Sequence, residues 1–300
     1  MGKLLIYIKR NLVFFLLVAN TLALTAQKEQ VNAAARYLQQ KSLDSAKIAI
    51  EKAILDNKTS TQGNTWYLRG FIYKSIYNTQ EKEQKYSSAR IQALESFKHA
   101  YEIDTSKQAI QESIKNIKYL ATTLYNDAAA SLDSMDYKTA LEVFDTFKKY
   151  YSLVDTSAVN NKQTDIKFLQ ALASVYTQLF DLDKKVNVEF LSRAKNTYNK
   201  VLTMDPNNIF ANYNMGILYY NQAVNLINQL DYGTDIRSLS DVQDNSIKLF
   251  KESLPFLEKA YALDPKRKET LYGLSGIYYS LNEMDKSNLF KQRLEEMKEK

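Results

Sequence analysis

The side chains that do most enzymatic chemistry are scarce in this sequence. Of 300 residues one is histidine, His99, and none is cysteine. Without thiolates there are no disulfides, no thiolate metal sites, no cysteine nucleophile and no lipidated-cysteine anchor. A lone imidazole without cysteines or clustered carboxylates cannot build a zinc site of the usual kind, so His99 is expected to be a solvated helix residue rather than an acid–base group. Serine hydrolysis would need His99 as its base, and no G-x-S-x-G, H-E-x-x-H, G-x-G-x-x-G or G-x-x-x-x-G-K occurs. Oxygen ligands crowd one stretch, at Asp231, Asp235, Asp241 and Asp244. Calcium takes such ligands, but the spacing is not that of an EF-hand, and a solvated loop presenting charge is the expectation. Glu295 and Glu296 sit among lysines and read as a solvated face held by i,i+4 pairs. Paired-carboxylate glycoside hydrolysis needs one distinguished pair, and no feature singles one out. No catalytic, cofactor-binding or metal-ligating residue is therefore assigned, no cofactor is implied, and the chain is expected not to be an enzyme.

What remains is surface, and the elements that present it. Seven glycines and three prolines are few for this length, which favours an all-α chain over sheets that need many turns. The formal charge is +6. With Lys3, Lys9 and Arg10 set aside, 37 basic and 34 acidic residues leave +3 spread along the chain, which is no concentrated basic face for nucleic acid.

Residues 1–11 are short and basic, Leu12 to Ala26 are apolar and uncharged, and Gln27-Lys28-Glu29 begins polar sequence. This order reads as a secretory signal peptide over 1–26, cleaved after Ala26. The apolar run falls short of the ~20 residues a spanning helix needs. An uncleaved anchor is the alternative, and membrane contact is expected only through that segment. Export then points to the periplasm or cell envelope of a bacterium.

From Gln27 onward apolar residues recur at helical spacing, and the helices fall into pairs. In the first helix of each pair a small residue precedes an aromatic by three: Ala34/Tyr37, Gly70/Tyr73, Ala173/Tyr176, Gly216/Tyr219 and Ser275/Tyr278, with Ala128/Ser131 as the pair that lost its ring. In the second helix a small residue leads: Ala46, Ala93, Ala140, Ala194, Ser253 and Ser287. Small side chains let two helices approach, and aromatics fill the space the next pair leaves. A glycine inside a helix costs ~1 kcal/mol against alanine, so Gly216 is expected under a close neighbour. Asp205-Pro206 is expected to close a helix. Six units follow, about 27–60, 63–105, 107–157, 163–206, 209–265 and 268–300.

The pattern resembles the tetratricopeptide repeat (TPR), a 34-residue helix–turn–helix unit. Trp66, Gly70 and Tyr73 match its first helix, and Ala93, Phe97, Ala100 and Asp104 its second; Ala194, Tyr198, Asp205 and Pro206 match again, as do Ala260, Asp264 and Pro265. The resemblance implies an all-α, right-handed superhelix of about six helical hairpins. Spacing departs from a steady 34. Units two and four are expected to carry lengthened helices, Lys107 to Leu120 to lengthen the first helix of unit three, and Gln229 to Ser246 of unit five to form an exposed loop. KQRLEEMKEK at the end reads as a polar terminal cap.

In that family the first helices line a concave side that holds a peptide. Carried onto this chain, the groove residues are Tyr67, Phe71 and Lys74; Tyr125; Gln170 and Gln178; then Tyr213, Ile217, Tyr220, Asn221, Tyr272 and Tyr279. The aromatics Tyr67, Phe71, Tyr125, Tyr213, Tyr220, Tyr272 and Tyr279 are the expected partner-binding anchors, since rings bury large area at low entropy cost. The family's clamp for a terminal carboxylate is not expected, because Asn214 is matched in unit six by Glu269 and Gly273. The resulting expectation is a non-catalytic scaffold for protein–protein interaction, with a role in assembly or secretion at the envelope. A glycan-binding repeat protein that stacks sugars on its tyrosines is the alternative, and a carboxylate-pair hydrolase a third reading.

Overall fold

The computed structural model describes residues 28–297; the signal-segment reading of 1–26 lies outside them, as do Gln27 and the last three residues of the cap. Among the described residues there are twelve helices and no strand. Helix α1 covers 28–39. It is followed by α2 Leu43–Ile54, α3 Gly63–Thr79, α4 Ser88–Ile103, α5 Lys107–Asp133 and α6 Tyr137–Val154. The second half has α7 Ala158–Leu182, α8 Val188–Met204, α9 Ile209–Ile227, α10 Ile236–Leu263, α11 Lys268–Ser280 and α12 Met284–Glu296. The chain divides into two compact units, one ending at Ala128 but including Lys138–Thr156, the other holding Ala129–Tyr137 and everything from Ser157 on. Each is taken by itself.

Helix ends follow local chemistry. Ser87 Oγ accepts from Arg90 N at 2.9 Å, Asn208 Oδ1 from Ala211 N at 3.0 Å, and Asp235 Oδ1 from the backbone N of Arg237 and Ser238 at 3.0 Å each. Each side-chain oxygen satisfies N–H groups that the first helical turn leaves open. Asp205 and Asp264 end α8 and α10 in extended backbone, as the residue before a proline must.

Three hairpins share one turn. The units with nine residues between aromatic slot and small slot place Lys41, Met135 and Asn282 at φ of 58, 59 and 60°. Each lies four residues after its slot residue Tyr37, Ser131 or Tyr278, and the next N–H closes back on that slot's carbonyl at 2.9, 2.8 and 2.8 Å. This is a Schellman-type closure made without glycine.

The longer connections differ. In units two and four the extra residues extend both helices by about a turn and leave connections over 80–87 and 183–187. Unit five corrects the exposed-loop expectation for 229–246: the chain is helical from Ile236, so the connection is only 228–235. Asp235 caps the new helix, and its Ser and Asp content had masked that start. His99 needs correction too. It is half-buried rather than solvated, edge-on to Trp66 with ring centroids 4.3 Å apart.

The small slots sit at the helix crossings. Ala34, Ala46, Ala93, Ala128, Ala140, Ala173, Ala194, Ser253 and Ser287 are all fully buried. A Cβ at Gly70 would lie 2.8 Å from the Phe97 ring, and one at Gly216 2.6 Å from Leu257 Cγ, so both glycines are required by close approach. Where the second-helix slot is serine its hydroxyl bonds across the hairpin, from Ser253 Oγ to the Gly216 carbonyl at 2.6 Å and from Ser287 Oγ to the Ser275 carbonyl at 2.9 Å. The fold is thus an all-α array of helical hairpins.

Candidate functional site

The expected anchors fall in both units and are placed differently. In the first unit α3 presents a ridge. Tyr67 is half-buried, edge-on to Phe97 at 5.5 Å, and one turn on Phe71 stands exposed. The two rings are 6.4 Å apart, so a contiguous aromatic strip runs along α3. Toward α1 this ridge walls an open cavity of about 700 Å³ lined by Leu38, Leu43, Phe71, Ser75 and Thr79. Toward α5 it walls a second of about 380 Å³, more polar, with Asn64, Asp104, Gln108 and Glu112 around Tyr67.

Lys74 lies one turn beyond Phe71. Its Nζ donates to Asn116 Oδ1 at 2.8 Å and sits 4.5 Å from the centre of the Tyr119 ring. Burial, then the nearby Lys115, pulls this ammonium below the ordinary lysine range despite Glu112. Burial and Glu112 push the Tyr67 phenol up. The strip therefore grades from apolar at α1 to hydrogen-bonding at α5, which suits a chain segment with an apolar side chain at one end and polar backbone along it. Tyr125, also in this unit, is half-buried against Phe147 at 5.3 Å and Phe144 at 6.2 Å.

In the second unit Tyr213 and Tyr220 join α9 to its neighbours. The Arg267 guanidinium stacks 3.9 Å over the Tyr213 ring. Tyr220 packs on Phe250 at 5.6 Å, and its hydroxyl fills the space above Gly276, 2.9 Å from where a Cβ would lie. Both pack against the core of Leu257, Leu271, Leu274 and Phe290, as does Ile217. Gln170 donates to Asn208 Oδ1 at 2.6 Å and is spent on that cap, while Gln178 and Asn221 are exposed. Tyr272 and Tyr279 are 57% and 58% exposed on α11. Seven residues apart, they share a face.

Sequence reasoning missed two buried arginines. Arg69 donates to Glu51 at 2.8 Å, to Ser96 Oγ at 2.6 Å and to Gln92 Oε1 at 2.6 Å, and its guanidinium lies 4.6 Å from the Tyr73 ring centre. Arg90 donates to Asp127 at 2.7 Å and to the carbonyl of Lys85. The one signal was position: Arg69 directly precedes the Gly70 slot, on a helix that reads apolar on that side. Among the described residues no group of three or more His, Asp or Glu is placed to hold a metal ion, and no helix is long and apolar enough to cross a membrane.

Nested helical hairpins with an aromatic ridge define the class of architecture. No family model and no curated protein matches the sequence. Similar solved structures include PilF of Pseudomonas aeruginosa, at 12% identity over 91% of each chain with a TM-score of 0.38. MamA protein is similar at 11% identity over 91% of this chain and 92% of that one, with a TM-score of 0.29. YrrB, described as a TPR protein with an unusual peptide-binding site, is similar at 17% identity over 81% and 89%, with a TM-score of 0.27.

Proposed function

We propose that this chain is a non-catalytic scaffold for protein–protein interaction, exported to the bacterial cell envelope, that holds a peptide segment of its partner across the α3 ridge. The observation that carries this is the pairing of exposed Phe71 with the apolar cavity of about 700 Å³ beside it. A single apolar side chain seated there would be desolvated on most sides, with Phe71 as the anchor of the contact. Tyr67 and Lys74 then offer hydrogen bonds to the backbone that follows. The uncharged apolar stretch from Leu12 to Ala26 supports export, and an assembly or secretion role fits a scaffold at that address.

The experiment places a photo-crosslinking phenylalanine analogue at Phe71, with the same analogue at exposed Lys251 on α10 as the control. The protein is expressed in a bacterium with its own N-terminus. The expected result is a discrete protein adduct from position 71 alone, lost when Tyr67→Ala and Lys74→Ala are added, on a chain recovered by osmotic shock whose mass begins at Gln27. No adduct at position 71, together with a melting temperature raised by oligosaccharides and not by peptides, would replace this reading with glycan binding.

A further inference from the structure

We propose that the outer face of α1 and α2 is a docking site for one amphipathic helix of a partner protein, a helix that brings a carboxylate to Tyr37. Two of the four other units that keep the ring cover this slot with a carboxylate from the preceding helix, while Tyr176 packs on Tyr137 and Phe190 and Tyr219 lies under Lys195. Tyr73 of α3 is held by α2, its hydroxyl donating to Glu51 at 2.8 Å. Tyr278 of α11 is held by α10 in the same way, its hydroxyl donating to Glu258. Both glutamates stand five residues after the small slot of their helix, Ala46 or Ser253, so the two clasps share one register. Under that cover Tyr73 is 7% exposed and Tyr278 3%, whereas Tyr37, the equivalent ring of α1, is 39% exposed.

Beside Tyr37 lies an open cleft of about 410 Å³ whose small floor residues, Ala33 and Ala49, leave room for a backbone to come close. Ile48 borders it and is 60% exposed. The same slot holds Glu95, Glu142, Asn196, Pro255 and Leu289 in the other units, so the isoleucine stands where three of five carry a polar side chain. Arg36 and Lys52 line the cleft against one acid, Glu29, which gives it the charge that a carboxylate-bearing helix complements.

Helix α12 is built differently. The face that α11 covers on α10 carries Leu254, Leu257, Glu258 and Tyr261, and the same register on α12 carries Asn288, Lys291, Gln292 and Glu295, all exposed. That face lacks the apolar residues which α10 offers its neighbour, so α12 of a second copy does not match the Tyr37 cleft. A foreign helix with α2-like chemistry does.

The test uses a hydrocarbon-stapled peptide of sequence LDSAKIAIEKAI, the α2 segment itself, titrated into the full chain. Saturable binding is expected, abolished by Ile48→Asp. Tyr37→Phe in the protein and Glu→Gln in the peptide should each weaken it about tenfold, the size of a charge-assisted hydrogen bond. Combined, they should weaken it no further than either alone, because both remove the same bond. Independent, multiplying losses would overturn the clasp, as would an absence of binding. A concentration-dependent dimer dissolved by Ile48→Asp would give the face to a second copy instead.

Discussion

Gly216 and Gly273 between them house one leucine. Leu257 is fully buried, with its Cγ 2.6 Å from where a Cβ on Gly216 would stand and its Cδ1 2.9 Å from the corresponding point on Gly273. A methyl added at Gly216 therefore pushes Leu257 toward a site already closed on the other side. Its own backbone N, 3.3 Å from the added Cβ, cannot yield without moving α10. Overpacking of this kind costs about 1–3 kcal/mol, against roughly 1 kcal/mol gained from alanine's helix propensity. Gly216→Ala is expected to lose about 1 kcal/mol net in urea denaturation. Leu257→Ala alone should cost about 2–5 kcal/mol, and distinctly less in the Gly216→Ala background, where the new methyl fills part of the cavity. Additive losses would mean that the two residues do not share that space. The sequence announced this site because a glycine inside an apolar helix asks for a neighbour. It did not announce Arg69 or Arg90, because a long charged side chain reads as solvated until its partners, contributed by other helices, are seen.

Helix α10 is two elements in one. From Ser246 to Ala260 it buries a residue every third or fourth position, at Ser246, Phe250, Ser253, Leu257 and Ala260. Between residues 228 and 245 nothing is fully buried. The Ser246 hydroxyl bonds to the Ala223 carbonyl at 3.4 Å and Ser253 to Gly216, so in this antiparallel register α9 ends before the first turns of α10 begin. That overhang was legible as exposed and illegible as helix, since Gly, Ser and Asp mark both a loop and the cap that ends one. Pro255 gave the opposite difficulty. A proline inside a pattern suggests a break, yet the helix runs through it, because Ser253 and Leu257 on either side are anchored to α9 while Pro255 itself faces water. Replacing 229–244 with a four-residue Gly/Asn loop is expected to change unfolding free energy by no more than about 0.5 kcal/mol, as surface changes do. A large loss of melting temperature would show that the overhang supports the α9–α10 pair.

At the scale of the whole molecule the repeat pattern predicted more than any motif. The recurrence of small residues at fixed places in both helices of each pair placed nine slots that prove fully buried, because that spacing is imposed by helix contact and is written into each hairpin separately. Which aromatics face a partner was not written in any one hairpin. Tyr213 and Tyr220 are occupied by Arg267 and Gly276 from the following unit, and only packing between units decides that. An array coupled through such neighbour contacts should not unfold as one block. Leu94 of α4 and Leu274 of α11 are both fully buried, one in each compact unit. Truncating either to alanine should cost about 2–5 kcal/mol locally. Amide exchange should then rise chiefly in the unit that carries the change: over α2–α4 for Leu94→Ala, with α9–α12 near wild type, and the reverse for Leu274→Ala. Equal acceleration in both units from either variant would mean a single cooperative core, and the nearest-neighbour account of this chain would have to be given up.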